Sequence, residues 1–378
     1  MNKLPTIVFF LPDSKIDPSG VFDGGGESAS RALAKALVKQ GKEVIVCGNL
    51  NGPEVSVDGV DYWSYGDYYR LDVIIERLKK IESFHCICST FFHPVLLLRQ
   101  LSNCLLKIVI NHSGSVFANG LSTQTVLNCI DLMICVSEAQ KKLVLDETKD
   151  SHKVTVIRNG FDPEIFEYAG PENRDYSHIV VVGRIEVWKG AQVLFDFFPT
   201  LKKAIPNAKM TFLGDYSKFA GLSEKKHFIE AENPGLNFLG KVSQNEIAKY
   251  LRSAGLLLFP SIVFETAGLA VVDAQASGCP VVAFDTGGVK EYLIDQKCGY
   301  LQSYQDYHGF YSKVIELMMN TSILKELSSN CLRYARSRTW SVVASELINI
   351  ISKMENDIGA TRSQSSQNVR KQICELIR

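Results

Sequence analysis

Apolar and polar residues alternate along this chain in short blocks, and the blocks repeat. Residues 6–11 form an unbroken apolar run between Pro5 and Pro12, which predicts a buried strand. A loop rich in Asp, Ser, Pro and Gly follows over 13–26. Residues 27–40 carry Ala, Leu and Lys in a helical pattern closed by Gly41, and 43–47 predict the next strand. Strand, Gly-rich loop, helix and strand make a βαβ unit. Leu71, Ile74, Ile75 and Leu78 put one apolar face on a helix over 67–81. Further strands are predicted at 86–90, 106–111, 132–136 and 154–157, with helices at 123–128 and 138–145 between them.

Residues 157–166 read as a turn-rich exit, and 167–177 hold Gly, Pro, Asn and Asp with few apolar positions. This segment predicts a linker between domains. The pattern then restarts. Strands are expected at 178–182, 209–213, 236–239, 256–259 and 280–284. Helices are expected at 191–204, 244–253, 267–277, 289–293, 307–319, 323–337 and 341–356. Two successive α/β alternations predict an α/β protein of two doubly wound, Rossmann-like domains facing a central cleft. Their bounds are 1–166 and 178–340. A helix over 341–358 is expected to cross back to the first domain, and 359–378 to form a mobile tail.

Composition narrows the partners more than it names them. The chain has 378 residues, with 41 Lys+Arg against 41 Asp+Glu. That balance argues against nucleic-acid binding by phosphate neutralisation. Hydrophobic residues are 46%, which argues against disorder. The 10 cysteines include no CxxC and sit mostly in apolar runs, the usage of reduced, buried thiols, so a cytoplasmic location is expected. The apolar run at 6–11 is too short for a signal sequence or a membrane span.

Four junctions between a strand and a helix carry the candidate chemistry. Gly24-Gly25-Gly26-Glu27 offers close backbone approach and a helix N-terminus, which suits a phosphate. Gly183-Arg184 and Lys189-Gly190 bring two cations to a strand end, where an arginine fork and a lysine point charge suit a diphosphate. Phe264-Glu265-Thr266-Ala267-Gly268-Leu269 leads to Asp273, and eight residues of helix would set Glu265 and Asp273 on nearly one face. The N–H groups of Ala267, Gly268 and Leu269 would be the free donors of that helix's first turn. Thr286-Gly287-Gly288…Glu291 is the fourth junction. No GxGxxG is present, which disfavours a dinucleotide oxidoreductase.

Together with the Val156–Gly160 exit, these segments resemble glycosyltransferase family 4, over roughly residues 5–345 and most specifically over 255–292. The resemblance implies a retaining enzyme of GT-B fold that uses a nucleotide-sugar donor. The family's paired glutamates read here as Glu265, seven residues, Asp273, and its Pro-Asn-Gly exit reads Arg158-Asn159-Gly160. By resemblance, Glu265 would contact the donor sugar. Arg184 and Lys189 would neutralise the diphosphate, and His112 would lie near the sugar. Gly25 and Gly26 would close over the diphosphate from the first domain, and the backbone N–H groups at Ala267, Gly268 and Leu269 would hold the sugar and diphosphate. Asp273 would hold the ribose, while Lys241 and Val242 would border the base.

No DxD ends a strand, so no metal and no other cofactor is expected. The acceptor expected is a glycan or lipid-linked saccharide, as in surface polysaccharide or lipopolysaccharide synthesis. Arg31, Lys35 and Lys39 form a basic stripe that either contacts the inner face of the plasma membrane or is a solvated helix face. Tyr62, Trp63, Tyr65, Tyr68 and Tyr69 are either core or a sugar-stacking cluster. Two other functions stay open at this point: a nucleotide-sugar epimerase of the same fold, which needs no acceptor, and a non-catalytic nucleotide-sugar-binding scaffold.

Overall fold

The computed structural model describes residues 4–18, 24–66, 70–89, 98, 101–113, 122–148, 150–219, 221–335 and 337–376. Tyr68, Tyr69 and His93 lie outside them. The first sheet holds β1 (Thr6–Ile16), β2 (Val44–Leu50), β3 (Val55–Val57), β4 (Val60–Ser64), β5 (Phe84–Ser89), β6 (Cys104–Asn111), β7 (Leu132–Cys135) and β8 (Val154–Val156). Its order is β3-β4-β2-β1-β5-β6-β7-β8, and every pair is parallel except the β3–β4 hairpin. β1 runs past its predicted end at residue 11, because the pairing to β2 resumes at Lys15 and Ile16 after a register shift.

The second sheet holds β9 (Asp175–Val182), β10 (Lys209–Leu213), β11 (Leu236–Gly240), β12 (Ala254–Phe259), β13 (Val281–Phe284) and β14 (Gly299–Gln302). All its pairs are parallel, in the order β11-β10-β9-β12-β13-β14. Renumbered from β9 this is 3-2-1-4-5-6, the doubly wound arrangement whose ligand crevice opens where the order reverses, between β9 and β12. Parallel strands are covered on both faces and read as apolar runs. β5, β7 and β13 are buried at every position.

β9 begins inside the predicted linker. Arg174, just before it, is buried and donates to Ser328 Oγ and to the carbonyls of Leu251, Ala254 and Ser277. The segment is thus fastened into the second domain by a cation that takes up carbonyls at two helix ends. The last helix runs Trp340–Leu376, beyond the expected end near residue 358 and through the segment expected to be mobile. One glycine, Gly359, costs a helix about 1 kcal/mol, and no proline interrupts it. Val343, Ala344, Leu347 and Ile351 form its buried stripe. Gln40 Nε2 reaches Ser341 O at 2.7 Å, and buried His85 meets Glu355 at 3.2 Å, so this helix lies on the first domain.

Tyr62 and Tyr65 are core residues, and Trp63 lies under the Arg77 guanidinium at 3.7 Å. In the basic stripe, Lys35 is paired with Asp58, Asp162 and Glu164, and Lys39 with Glu164, so those two cations face acids of the same chain. Eight of the described cysteines are buried, Cys129 is half-buried, and none of the nine is in a disulfide. No helix among the described residues is long and apolar enough to cross a membrane.

Arg174→Met should lower the free energy of unfolding by about 3 kcal/mol, since three buried carbonyls lose their donor at about 1 kcal/mol each. Urea denaturation followed by circular dichroism measures it. A loss below 1 kcal/mol would show that the cation is dispensable.

Candidate active site

The reversal point between β9 and β12 is where the candidate residues meet. β9 ends into Gly183-Arg184 and a short turn, Val187–Lys189. β12 ends into Pro260-Ser261 and the irregular segment carrying Glu265. Glu265 Oε1 accepts from Lys189 Nζ at 2.5 Å and from Ser261 Oγ at 2.5 Å. Both partners of the ion pair are largely covered, the side chains of Lys189 and Glu265 being 27% and 12% exposed. Sequence reasoning missed Ser261. A serine in a turn has no signature until the fold sets it four residues before its partner.

Two glycines make this packing feasible. Gly190 has φ +80°, and a Cβ there would stand 2.0 Å from Pro260 O. Gly287 has φ +55°, and a Cβ there would stand 2.1 Å from Glu265 O. Both positions combine a left-handed backbone with a close approach that only glycine satisfies. Around them, Gly288 N donates to Glu265 O at 2.7 Å and Thr286 Oγ1 to Val263 O at 2.6 Å. The Glu265 segment is therefore clamped by the Lys189 turn on one side and the Thr286-Gly287-Gly288 turn on the other.

The helix that follows begins at Leu269, later than expected. Gly268 is its non-helical N-cap, and Ala267 lies outside it. Glu265 is off the helix, so the one-face geometry expected for Glu265 and Asp273 does not hold. Of the three backbone donors expected in the first turn, only Leu269 lies within the helix. Gly24 caps the helix Gly25–Lys39, so Gly25 and Gly26 are its first turn and not a loop. That turn faces the second domain, since a Cβ on Gly25 would stand 3.6 Å from Leu269 Cδ1. Two helix N-termini, one from each domain, thus converge on one cleft. Each offers unpaired N–H groups and a positive dipole end.

His112 completes the meeting point. A Cβ on Gly26 would lie 3.4 Å from His112 Cβ, and His112 O accepts from Thr266 Oγ1 across the cleft at 3.1 Å. Burial pushes the His112 imidazole down to about 4, so it is neutral at physiological pH. Burial, and then the charge of Asp162, hold the Asp273 carboxyl well above the usual carboxylate range. Arg184 is more exposed and pairs with the buried Glu186 at 3.2 Å. Lys241 pairs with Asp215 at 3.5 Å. Val242, next to it, packs against the core from a half-buried position. Arg158 forks onto Glu291, with Nε at 3.0 Å and Nη2 at 2.9 Å from Oε2. Among the described residues, no group of three or more His, Cys, Asp or Glu is arranged to hold a metal ion.

His112 should make the unfolding free energy fall as pH drops from about 6.5 towards about 4, while the raised Asp273 carboxyl works in the opposite direction. In that window the unfolded His112 binds a proton that the folded one refuses, so stability rises with pH. Burial lowers His85 and His178 in the same direction, and His112→Gln should therefore remove only part of the slope. Urea titrations at several pH values test this, and an unchanged slope in the variant would overturn it.

Comparison with known proteins agrees with this geometry. Residues 23–165 match the model "Glycosyltransferase Family 4", and residues 164–338 match "Glycosyl transferases group 1". An uncharacterized glycosyltransferase of Methanocaldococcus jannaschii is 29% identical over 213 residues, 56% of each chain. A phosphatidylinositol N-acetylglucosaminyltransferase subunit from Arabidopsis thaliana is 28% identical over 304 residues, covering 72% of this chain and 66% of that one. The chain thus spans between about half and two thirds of the length of these relatives. The solved structure of Anabaena Alr3699/HepE with UDP and glucose superposes with a TM-score of 0.72 at 16% identity, over 92% of this chain and 100% of that one. Two sheets of doubly wound topology give this chain a GT-B fold, and the two adjoining family matches, over residues 23–338, support a family-4-like glycosyltransferase.

Proposed function

We propose that this protein is a retaining glycosyltransferase that moves a sugar from a nucleoside-diphosphate donor to a glycan or lipid-linked acceptor. The observation that carries the reading is the Lys189–Glu265–Ser261 cluster at the sheet reversal, set between two opposed helix N-termini. The UDP and glucose in the Anabaena structure support the donor class, and the named activity of the Arabidopsis relative supports a lipid-linked acceptor.

The geometry supports a definite division of labour. Breaking a glycosidic bond to a diphosphate leaves positive charge on the sugar and negative charge on the departing phosphate. Arg184, Lys189 and the N–H groups at Gly25, Gly26 and Leu269 lie where that negative charge would grow. Lys189 and Arg184 are neutralised by Glu265 and Glu186. An arriving diphosphate competes for both cations, and the release of Lys189 frees Glu265 to accept from sugar hydroxyls. His112, neutral and therefore able to donate and accept, lies on the sugar side. Asp273 and Lys241-Val242 serve the ribose and the base. Fixed cations perform the work of charge neutralisation, so we propose transfer without a metal.

A thermal-shift screen of UDP-, GDP- and ADP-sugars should raise the melting temperature for one base, as a ligand of the folded state does. Glu265→Gln should lower transfer by about 10²–10³-fold while circular dichroism stays unchanged. Full turnover in that variant would sink the site assignment. Chelation with EDTA should leave transfer intact, whereas loss reversed by Mn2+ would refute the metal-free reading. Conversion of nucleotide sugar without any acceptor would favour an epimerase.

A further inference from the structure

The turn that clamps Glu265 continues into a short helix, Val289–Tyr292, whose last two side chains leave their own domain. Glu291 Oε1 accepts from Ala139 N at 2.8 Å. Its Oε2 accepts from Glu138 N at 2.8 Å and from Arg158 Nε and Nη2 at 3.0 and 2.9 Å. Glu138 and Ala139 open the helix Glu138–Leu145, so the carboxylate meets the positive end of a first-domain helix as well as a guanidinium. The neighbouring Tyr292 hydroxyl donates to Val136 O and accepts from Asn159 N. Four N–H donors occupy Glu291, whose side chain is 12% exposed, and this leaves it little capacity to serve a ligand.

The other end of the same turn is bonded to the Glu265 segment, through Gly288 N and Thr286 Oγ1. Gly288 also passes close to the first domain, since a Cβ there would stand 2.7 Å from the Ser137 side chain. One rigid strut therefore runs from Glu265 to the first domain, and its far end is the Arg158–Glu291 pair.

We propose that the Arg158–Glu291 pair is an interdomain latch that sets the angle of the cleft and, through the Gly288 turn, the placement of Glu265 against His112. Arg158 and Glu291 are positioning residues and do not touch the reacting groups. The inference rests on the reading of the cleft as a nucleotide-sugar site, but the latch has a readout of its own. Loosening it lowers the fraction of molecules competent to bind donor, and apparent affinity falls by that fraction.

Full-length Arg158→Ala and Glu291→Gln should each show a larger radius of gyration in small-angle X-ray scattering of the free protein. Each should raise the donor KM by about 3- to 10-fold with kcat within about twofold, and Arg158→Lys should recover part of the loss. Lys325→Ala, which breaks an exposed pair with Glu172 away from the cleft, should move neither quantity. Unchanged scattering and KM in Arg158→Ala and Glu291→Gln would overturn the latch, as would a fall in melting temperature alone. A fall in kcat at unchanged scattering would overturn it too, by putting these residues at the chemistry. If the wild type binds no nucleoside diphosphate, the substrate reading fails, and scattering of the free variants still decides the latch.

Discussion

A half-buried carboxylate must be compensated, and the need at Glu265 organises the centre of this protein. At 12% exposed, a carboxylate would be costly alone. A lysine and a serine hydroxyl meet one of its oxygens, and each has structural requirements of its own. Lys189 reaches it because the Val187–Lys189 turn ends in a left-handed Gly190 that fits under Pro260. Ser261 reaches it because β12 ends at Phe259 and the chain turns at that proline. The backbone of Glu265 is then fixed by Gly288, in a turn that only Gly287 can make. The Lys189 turn, the Glu265 segment and the Gly288 turn, far apart in sequence, are thus joined at one residue.

Topology brings those segments together. With the order β11-β10-β9-β12-β13-β14, the chain leaves β9 and β12 on opposite faces of the sheet, and a crevice opens between their carboxyl ends. The Lys189 turn follows β9, the Glu265 segment follows β12, and the Gly287 turn follows β13. The first domain answers with the same device: β1 leads to the helix at Gly25, and β6 delivers His112. Two doubly wound sheets turned edge to edge therefore place two helix N-termini opposite each other, with their cations and carboxylates between them.

Sequence carried most of this frame, for a physical reason. Strands buried on both faces are continuous apolar runs, and runs such as 132–135 and 281–284 stand out against the polar loops. Elements with little burial did not stand out. The β3 strand is exposed at two of its three positions, and the helix Leu222–Glu232 buries only Leu222. The helix start at Leu269 was misplaced because Ala267 and Gly268 have compositions compatible with a first turn, while the backbone there is not helical. The residue types at Arg184, Lys189 and Glu265 were legible because their chemistry is local to a strand end. The Arg158–Glu291 contact was not, since its partners are 133 residues apart and belong to different domains.

Equal numbers of cations and anions, 41 of each, acquire a meaning at this level. The candidate site's charges are matched pair by pair: Lys189 with Glu265, Arg184 with Glu186, Lys241 with Asp215. Asp273 differs, since burial and the charge of Asp162 both oppose its ionisation. A site neutralised in this way exerts little long-range pull on an anion, because opposite charges a few ångströms apart cancel beyond the Debye length of about 8 Å. Selectivity must then come from contact. A ligand gains only if it offers, at the right spacing, both an anion to replace the carboxylates on the cations and hydroxyls to take up the carboxylates so released. A bare phosphate meets the first condition and a free sugar the second. A sugar joined to a diphosphate, the donor proposed above, meets both in one molecule, and on that reading an electrically neutral chain would hold a strongly charged substrate without attracting every other anion.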